Sequence, residues 1–311
     1  CDIFNSLIEN APHSGSWNLA RRGEKTRQTL IKIITDSTCD IPDDLIRQYD
    51  ITIIPHYIIW GNDQFRDRVD MQPLDFYKRL ASDPIYPSSS QASIVDFKRV
   101  FEEAAAQGAS EIIALTVSSA MSGAYHMACE AAKLVSIPVS VVDGKGPTMS
   151  LGWQTLAAAR ARDAGMVSSE ILLMLDDLKK KLVQYVAMDS LEYLQKSGRI
   201  GNAVKWVGSV LKIRPLVEIN HKTGLVEPAS LARTHKGVID QLYNKFFGHF
   251  KDSKNLHIAV MHGNVLPEAE EMAERIRTQF NPVELLINMT GPVLGISTGP
   301  GAMALCGYAE D

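Results

Sequence analysis

The 311-residue sequence contains only four cysteines, and they lie far apart at positions 1, 39, 129 and 306. Without a CxxC pair they match neither a disulfide framework nor a zinc site, and the spacing is typical of reduced, buried thiols in a cytoplasmic protein. No apolar run approaches the roughly 20 residues that a membrane-spanning helix needs, and no signal-peptide pattern opens the chain. We therefore expect a cytoplasmic protein.

The sequence also lacks the common motifs for phosphate and metal binding. It has no GxxxxGK[ST] loop, no GxGxxG after the first predicted strand, and no HExxH among its eight histidines. Its 32 basic and 36 acidic residues are interspersed, giving a net charge of −4. A basic face that could neutralise nucleic-acid phosphates is missing. We expect no metal, no cofactor and no nucleic-acid partner.

Strand and helix patterns alternate along most of the chain. Apolar β-rich runs such as IKIIT (31–35), EIIALTV (111–117) and VSVVD (139–143) are each followed by a helical pattern. This alternation predicts an α/β fold with a mainly parallel sheet for residues 31–165. Residues 166–311 add a predicted hairpin through HKTG, and therefore a second α/β domain with a mixed sheet. Residues 1–30 have weak periodicity and are interpreted as a linker or extension.

Four segments rich in hydroxyl side chains and glycine follow or separate the predicted strands: TDSTCD (35–40), SSSQAS (88–93), SSAMSG (118–123) and GISTGPGA (295–302). Parallel sheets bind ligands at the carboxyl ends of their strands, where hydroxyl and backbone N–H groups can hold an anion. Each segment taken alone is more typical of an ordinary turn. Together they favour a site for a small acidic ligand.

A serine nucleophile is an alternative interpretation of SSAMSG. Catalysis would need a histidine base within hydrogen-bonding distance, held in turn by a carboxylate. His126 follows Ser122 by four residues and would have to act from the same helix, and the segment is not a GxSxG elbow. A serine hydrolase of lipid esters therefore remains the weaker alternative. Asp36 is expected to organise its turn by accepting hydrogen bonds from backbone N–H groups.

The ordered set TDSTCDIP, SSSQAS, VSSAMSGAYHMA, VVDGKGPTMSLG, LEYLQKSGRI, LKIRPLVEI and TGPVLGISTGPGA resembles the DegV family from about Ile31 to near the C-terminus. The resemblance implies two α/β domains that hold one long-chain fatty acid between them. Some members of that family are the fatty-acid-binding subunit of a bacterial fatty acid kinase, which supports phospholipid synthesis. A separate ATP-binding subunit then phosphorylates the bound acid. The resemblance thus implies a lipid-binding protein that is not itself a complete enzyme, with a carrier or sensor without a kinase partner as the alternative.

The resemblance also implies the residues that bind the fatty-acid carboxylate. Carried onto this sequence they are Ser89 with Ser90 beside it, Ser119 with Ser118 beside it, and Ser297 followed by Thr298. Serine stands at 89 where the family motif has threonine, and at 297 where the motif often has histidine. A carboxylate site made of hydroxyl and backbone groups alone is therefore expected.

Arg199, in the GRI motif, is implied by the resemblance to lie near the mouth of the pocket. The basic and aromatic residues that follow it, Lys205, Trp206, Lys212 and Arg214, suggest a lid that touches anionic lipid surfaces while the fatty acid exchanges. An ordinary amphipathic helix packed on the second domain explains the same pattern, and both interpretations stay open.

Overall fold

The computed structural model describes residues 30–206, 213–251 and 253–310. The predicted linker or extension (residues 1–30) lies outside the described residues, apart from Leu30. Lys212 of the suggested lid also lies outside them. Cys39, Cys129 and Cys306 are buried and form no disulfide bond within the described residues, as their spacing predicts.

The first sheet is parallel throughout and has the order β2-β1-β6-β7. Its strands are β1 (Ile31–Asp36), β2 (Thr52–Ile54), β6 (Glu111–Thr116) and β7 (Val139–Asp143). The helices along this part of the chain are α1 (Asp43–Gln48), α2 (Pro73–Ser82), α3 (Ile94–Ala106), α4 (Ala124–Ala132) and α5 (Met149–Asp163). The predicted parallel sheet is confirmed.

A small antiparallel sheet of order β4-β3-β5 lies beside the parallel one, and sequence reasoning missed it. It consists of β3 (Tyr57–Trp60), β4 (Asp63–Arg66) and β5 (Ser88–Ser90). Pro55 separates β2 from β3 because proline has no N–H to donate to a ladder, so one apolar run supplies strands to two sheets. Ser88–Ser90, expected in a turn, forms a strand because it pairs with β3.

The third sheet is mixed and has the order β10-β9-β8-β13-β11-β12, with only β11 and β12 parallel. Its strands are β8 (Val183–Ala187), β9 (Arg214–Asn220), β10 (Leu225–Ala232), β11 (Leu256–His262), β12 (Glu284–Met289) and β13 (Met303–Ala309). Its accompanying helices are α6 (Ser168–Lys181), α7 (Glu192–Ser197), α8 (His235–Gly248), α9 (Leu266–Phe280) and α10 (Pro292–Thr298). Both the mixed sheet and the hairpin of β9 and β10 match the predictions.

The largest hydrophobic core joins the parallel and the mixed sheets through α5. This helix packs on β1 and β6 on one side and on β13 on the other. Leu151, Trp153 and Leu156 are therefore fully buried on different faces of the helix. The predicted division into domains after residue 165 stays a prediction: each sheet is built from one side of that position, but this core draws residues from both.

Candidate functional site

A cavity of about 870 Å³, counting the part open to solvent, lies between the parallel and the mixed sheets. Its walls come from both halves of the chain, including the segments after β1, β6 and β7 and residues of β8, β9, β10 and β13.

Most of the cavity wall is aliphatic. Strand side chains alternate between the two faces of a sheet, so Val186 points from β8 into the cavity, and Met188 just beyond the end of β8 lines it too. Neighbouring strands extend this surface with Val217, Ile219, Val226 and Ala304. Such a wall suits a long apolar chain.

Hydroxyl side chains supply most of the polar lining. They are Thr38, Ser89, Thr148, Thr290, Ser297 and Thr298. Of the predicted carboxylate-binding residues, the structure thus brings Ser89, Ser297 and Thr298 to one cavity. Thr38, Thr148 and Thr290 were missed by sequence reasoning, although they lie within the segments TDSTCD, VVDGKGPTMSLG and TGPVLGISTGPGA, respectively.

These hydroxyl groups differ in whether their proton is free for a ligand. Thr38 donates to the Asp36 carboxylate at 2.6 Å, and Thr298 donates to the Leu294 carbonyl at 3.2 Å. Within the described residues, the hydroxyls of Ser89 and Ser297 make no hydrogen bond. Ser89 and Ser297 therefore have the protons that an anionic ligand can use.

Asp36 fixes the carboxyl edge of the parallel sheet below this site. Its buried carboxylate accepts the backbone N–H groups of Thr38 at 3.0 Å and Val117 at 2.7 Å, which confirms the expected role in organising the turn. His56 lies 3.7 Å from the same carboxylate, and burial lowers the pKa of its imidazole while Asp36 opposes that shift. Asp36 thereby positions two residues of the cavity wall.

Ser297 and Thr298 lie in the last turn of α10, not in the turn expected for GISTGPGA. The helix is held against the first half of the chain because Asp40 accepts the N–H of Gly291 at 2.9 Å and pairs with Arg68 at 2.5 Å. Gly295 permits close packing, since a Cβ atom there would lie 2.6 Å from the ring of Phe76. These contacts fix both hydroxyls at the cavity.

Thr148 immediately precedes α5 and has an unusual backbone. Its φ of 51° and ψ of −138° are strained for a residue with a β-branched side chain. Its hydroxyl is buried, lines the cavity and has no hydrogen-bond partner in the described part of the chain. Strain together with an unsatisfied buried hydroxyl marks Thr148 as a candidate contact for the head group.

Ser118 and Ser119 do not line the cavity, although Val117 and Met121 on either side of them do. Ser118 donates to the Gly224 carbonyl at 2.8 Å. Ser119 donates to Asp143, which also pairs with Lys145 at 2.8 Å. Burial works to raise the pKa of Asp143, but the hydrogen bonds from Lys145 and Ser119 outweigh it and lower that pKa.

The two remaining predicted residues lie in different surroundings. Ser90 is exposed on β5 and points away from the neighbouring Ser89, because side chains alternate along a strand. Arg199 lines the cavity, where it donates to the Ser197 carbonyl, and no ion pair of Arg199 occurs in the described ranges. The roles predicted for Ser90, Ser118, Ser119 and Arg199 stay predictions.

The described residues hold no group of three or more side chains arranged to bind a metal ion. None of the helices within them has the length and apolar character to cross a bilayer. Over the same residues, no serine hydroxyl is hydrogen-bonded to a histidine ring, and Ser122 instead accepts the N–H of Ala124 at 3.2 Å. The structure therefore gives the hydrolase alternative no assembled nucleophile and base.

Residues 30–310 match a family model described as "Uncharacterised protein, DegV family". A fatty acid-binding protein of Thermotoga maritima is 30% identical over 279 residues, covering 88% of this chain and 96% of that protein. The solved structure of DegV, a fatty acid binding protein from Bacillus subtilis, has a TM-score of 0.83 at 26% identity and covers 91% of this chain and 100% of that one. A fatty acid-binding DegV family protein from Thermus thermophilus has the same TM-score and identity over 90% of this chain and 100% of its own.

Proposed function

The chain belongs to the DegV family, and we propose that it binds one long-chain fatty acid in the cavity between its parallel and mixed sheets. The observation that carries this proposal is one cavity that combines free hydroxyl donors with a long aliphatic wall. A fatty acid has the same division into an anionic head and an apolar tail.

The tail supplies most of the affinity in this arrangement. Burying about sixteen methylene groups at ~0.8 kcal/mol each contributes ~13 kcal/mol before the costs of ordering and head-group desolvation. The aliphatic side chains of β8, β9 and β13 provide the surface that receives it. Because this term grows with each methylene, the cavity favours long chains over short ones.

The head group is proposed to lie at Ser89 and Ser297, with Thr148 as a further donor. Hydrogen bonds to an ionised carboxylate are stronger than those between neutral groups, so a few hydroxyls can fix its position. Asp36 and Asp143 are already occupied by internal donors and therefore repel the ligand less than free carboxylates would. Arg199 is the only charged side chain of the cavity lining within the described residues, and its charge favours an anion.

We further propose that the protein presents the bound carboxylate to a separate ATP-dependent kinase in the cytoplasm. The described lining contains no carboxylate or imidazole to act as an acid or base, so phosphoryl transfer would depend on the partner. A carrier or sensor without a kinase partner is the second candidate, and the same observation favours it. Formation of acyl phosphate, trapped with hydroxylamine after mixing with ATP and a bacterial fatty acid kinase subunit, separates the two.

The first test is denaturing extraction of the purified protein followed by mass spectrometry of the released small molecules. One equivalent of a long-chain fatty acid is expected, and a Ser89→Ala/Ser297→Ala variant should retain much less. A protein that is empty and also fails to take up added palmitate, stearate or oleate would contradict the proposal.

A further inference from the structure

Gln184 is a polar side chain placed within the aliphatic wall of the cavity. It shares the cavity-lining face of β8 with Val186 and is only 1% exposed. Neither its Nε2 nor its Oε1 atom has a hydrogen-bond partner in the described part of the chain. An amide can donate two hydrogen bonds and accept two, so all of its capacity is unused.

An unsatisfied buried amide needs an explanation. Leaving such a group without a partner destabilises a protein, whereas an aliphatic residue of similar size at this position would not. The neighbouring positions of the cavity wall carry such aliphatic residues, namely Val186, Val217 and Ile219. Among the described residues of this aliphatic wall, Gln184 is therefore the one side chain that can recognise a polar group on a ligand.

The register of the mixed sheet places Gln184 away from the end of β13 that follows α10. Gln184 pairs with Cys306 on β13, and Val186 pairs with Ala304. Ala302, which follows α10 and also lines the cavity, precedes Cys306 by four residues, or roughly 13 Å at about 3.3 Å per residue. A ligand whose carboxylate lies at Ser297 would thus meet Gln184 well down its chain.

We propose that Gln184 forms a second polar subsite, which selects long-chain fatty acids that carry a hydroxyl group on the chain. A hydroxyl fits better than a keto group because it can donate to Oε1 and accept from Nε2 at once. The proposal rests on fatty-acid binding as the proposed function and specifies the class of fatty acid.

The test compares stearate with a panel of monohydroxystearates that carry the hydroxyl at different mid-chain positions. In the wild-type protein, at least one monohydroxystearate should bind about tenfold or more tightly than stearate, because it satisfies the amide. Gln184→Leu should lose this preference and bind stearate at least as tightly as the wild type does. Gln195→Leu, at an exposed position on α7, serves as the control and should keep the wild-type preference.

Thermal unfolding of the ligand-free proteins shows whether the variant folds, and Gln184→Leu should unfold at the same temperature as the wild type or higher. If stearate binds as tightly as every hydroxystearate, and Gln184→Leu changes no affinity ratio, the second subsite is refuted while fatty-acid binding stands. That result would indicate that water satisfies Gln184. If no member of the panel binds the wild-type protein, the proposed function itself fails.

Discussion

Replacing Ser89 and Ser297, two of the cavity hydroxyl groups that are free to donate to a carboxylate, should weaken fatty-acid binding by an amount that follows from the energy of the lost hydrogen bonds. Ser89 and Ser297 line the cavity and make no hydrogen bond in the described parts of the chain, so each can donate to the ligand. A hydrogen bond to a charged group contributes ~1.5–3 kcal/mol. Each single substitution to alanine should therefore raise the Kd for palmitate by about 10- to 150-fold.

The double variant Ser89→Ala/Ser297→Ala should bind at least about a hundredfold more weakly than the wild type, even if the two effects are not fully additive. Ser90→Ala is the matched control, because Ser90 neighbours Ser89 on β5 but is exposed and lies outside the cavity lining. Its Kd should equal that of the wild type. Thr298→Val should have a smaller effect than Ser297→Ala, because the Thr298 hydroxyl already donates to Leu294.

Isothermal titration with palmitate and with its methyl ester distinguishes loss of head-group contacts from loss of the cavity. The ester lacks the ionised carboxylate, so the substitutions should affect its affinity much less. A double variant that binds palmitate within twofold of the wild type would refute the placement of the carboxylate. An equal loss of affinity for palmitate and the ester would show that the cavity, not the head-group contact, was damaged.

Three further perturbations test other parts of the structure. Ala304→Leu adds bulk to the aliphatic wall and should shift the chain-length preference in competition binding toward shorter acids; an unchanged preference would place the tail elsewhere. Burial raises the pKa of Asp67 to about 7 in the folded protein, whereas an aspartate of the unfolded chain releases its proton near pH 4. Because the folded state therefore binds more protons between these two values, the free energy of unfolding falls as the pH rises through that window. In urea titrations between about pH 5 and about pH 8, the wild type should lose about 2–3 kcal/mol of unfolding free energy relative to Asp67→Asn. The same pH dependence of the unfolding free energy in both proteins would contradict the raised pKa of Asp67. Ser119→Ala removes the hydrogen bond to Asp143 and should raise the pKa of that carboxyl, measurable by NMR titration; a tenfold loss of palmitate affinity in the same variant would instead support the predicted contact between Ser119 and the carboxylate.

Local patterns in the sequence determined the order of elements, because the periodicity of apolar residues depends only on near neighbours. The strands at 31–36, 111–116 and 139–143, and the hairpin of β9 and β10, follow directly from such patterns. The hydroxyl-rich segments predicted a site for a small acidic ligand, and the resemblance to the DegV family pointed within them to Ser89, Ser297 and Thr298, which the structure places at one cavity. The sequence of these segments does not show which hydroxyl groups donate hydrogen bonds within the protein and which stay free for a ligand.

Tertiary structure decided which hydroxyl groups reach the cavity and which are already hydrogen-bonded, because these contacts join residues far apart in the chain. Pairing with β3 made Ser88–Ser90 a strand, and contacts of Asp40 with Gly291 fixed α10 at the cavity. Asp143, 24 residues beyond Ser119, takes the proton of that serine, so one of the most conspicuous serines lies outside the cavity lining. Gln184 belongs to no sequence motif. It became a candidate because the alternation of side chains along β8 places its amide, which has no hydrogen-bond partner in the described residues, among the aliphatic side chains that line the cavity.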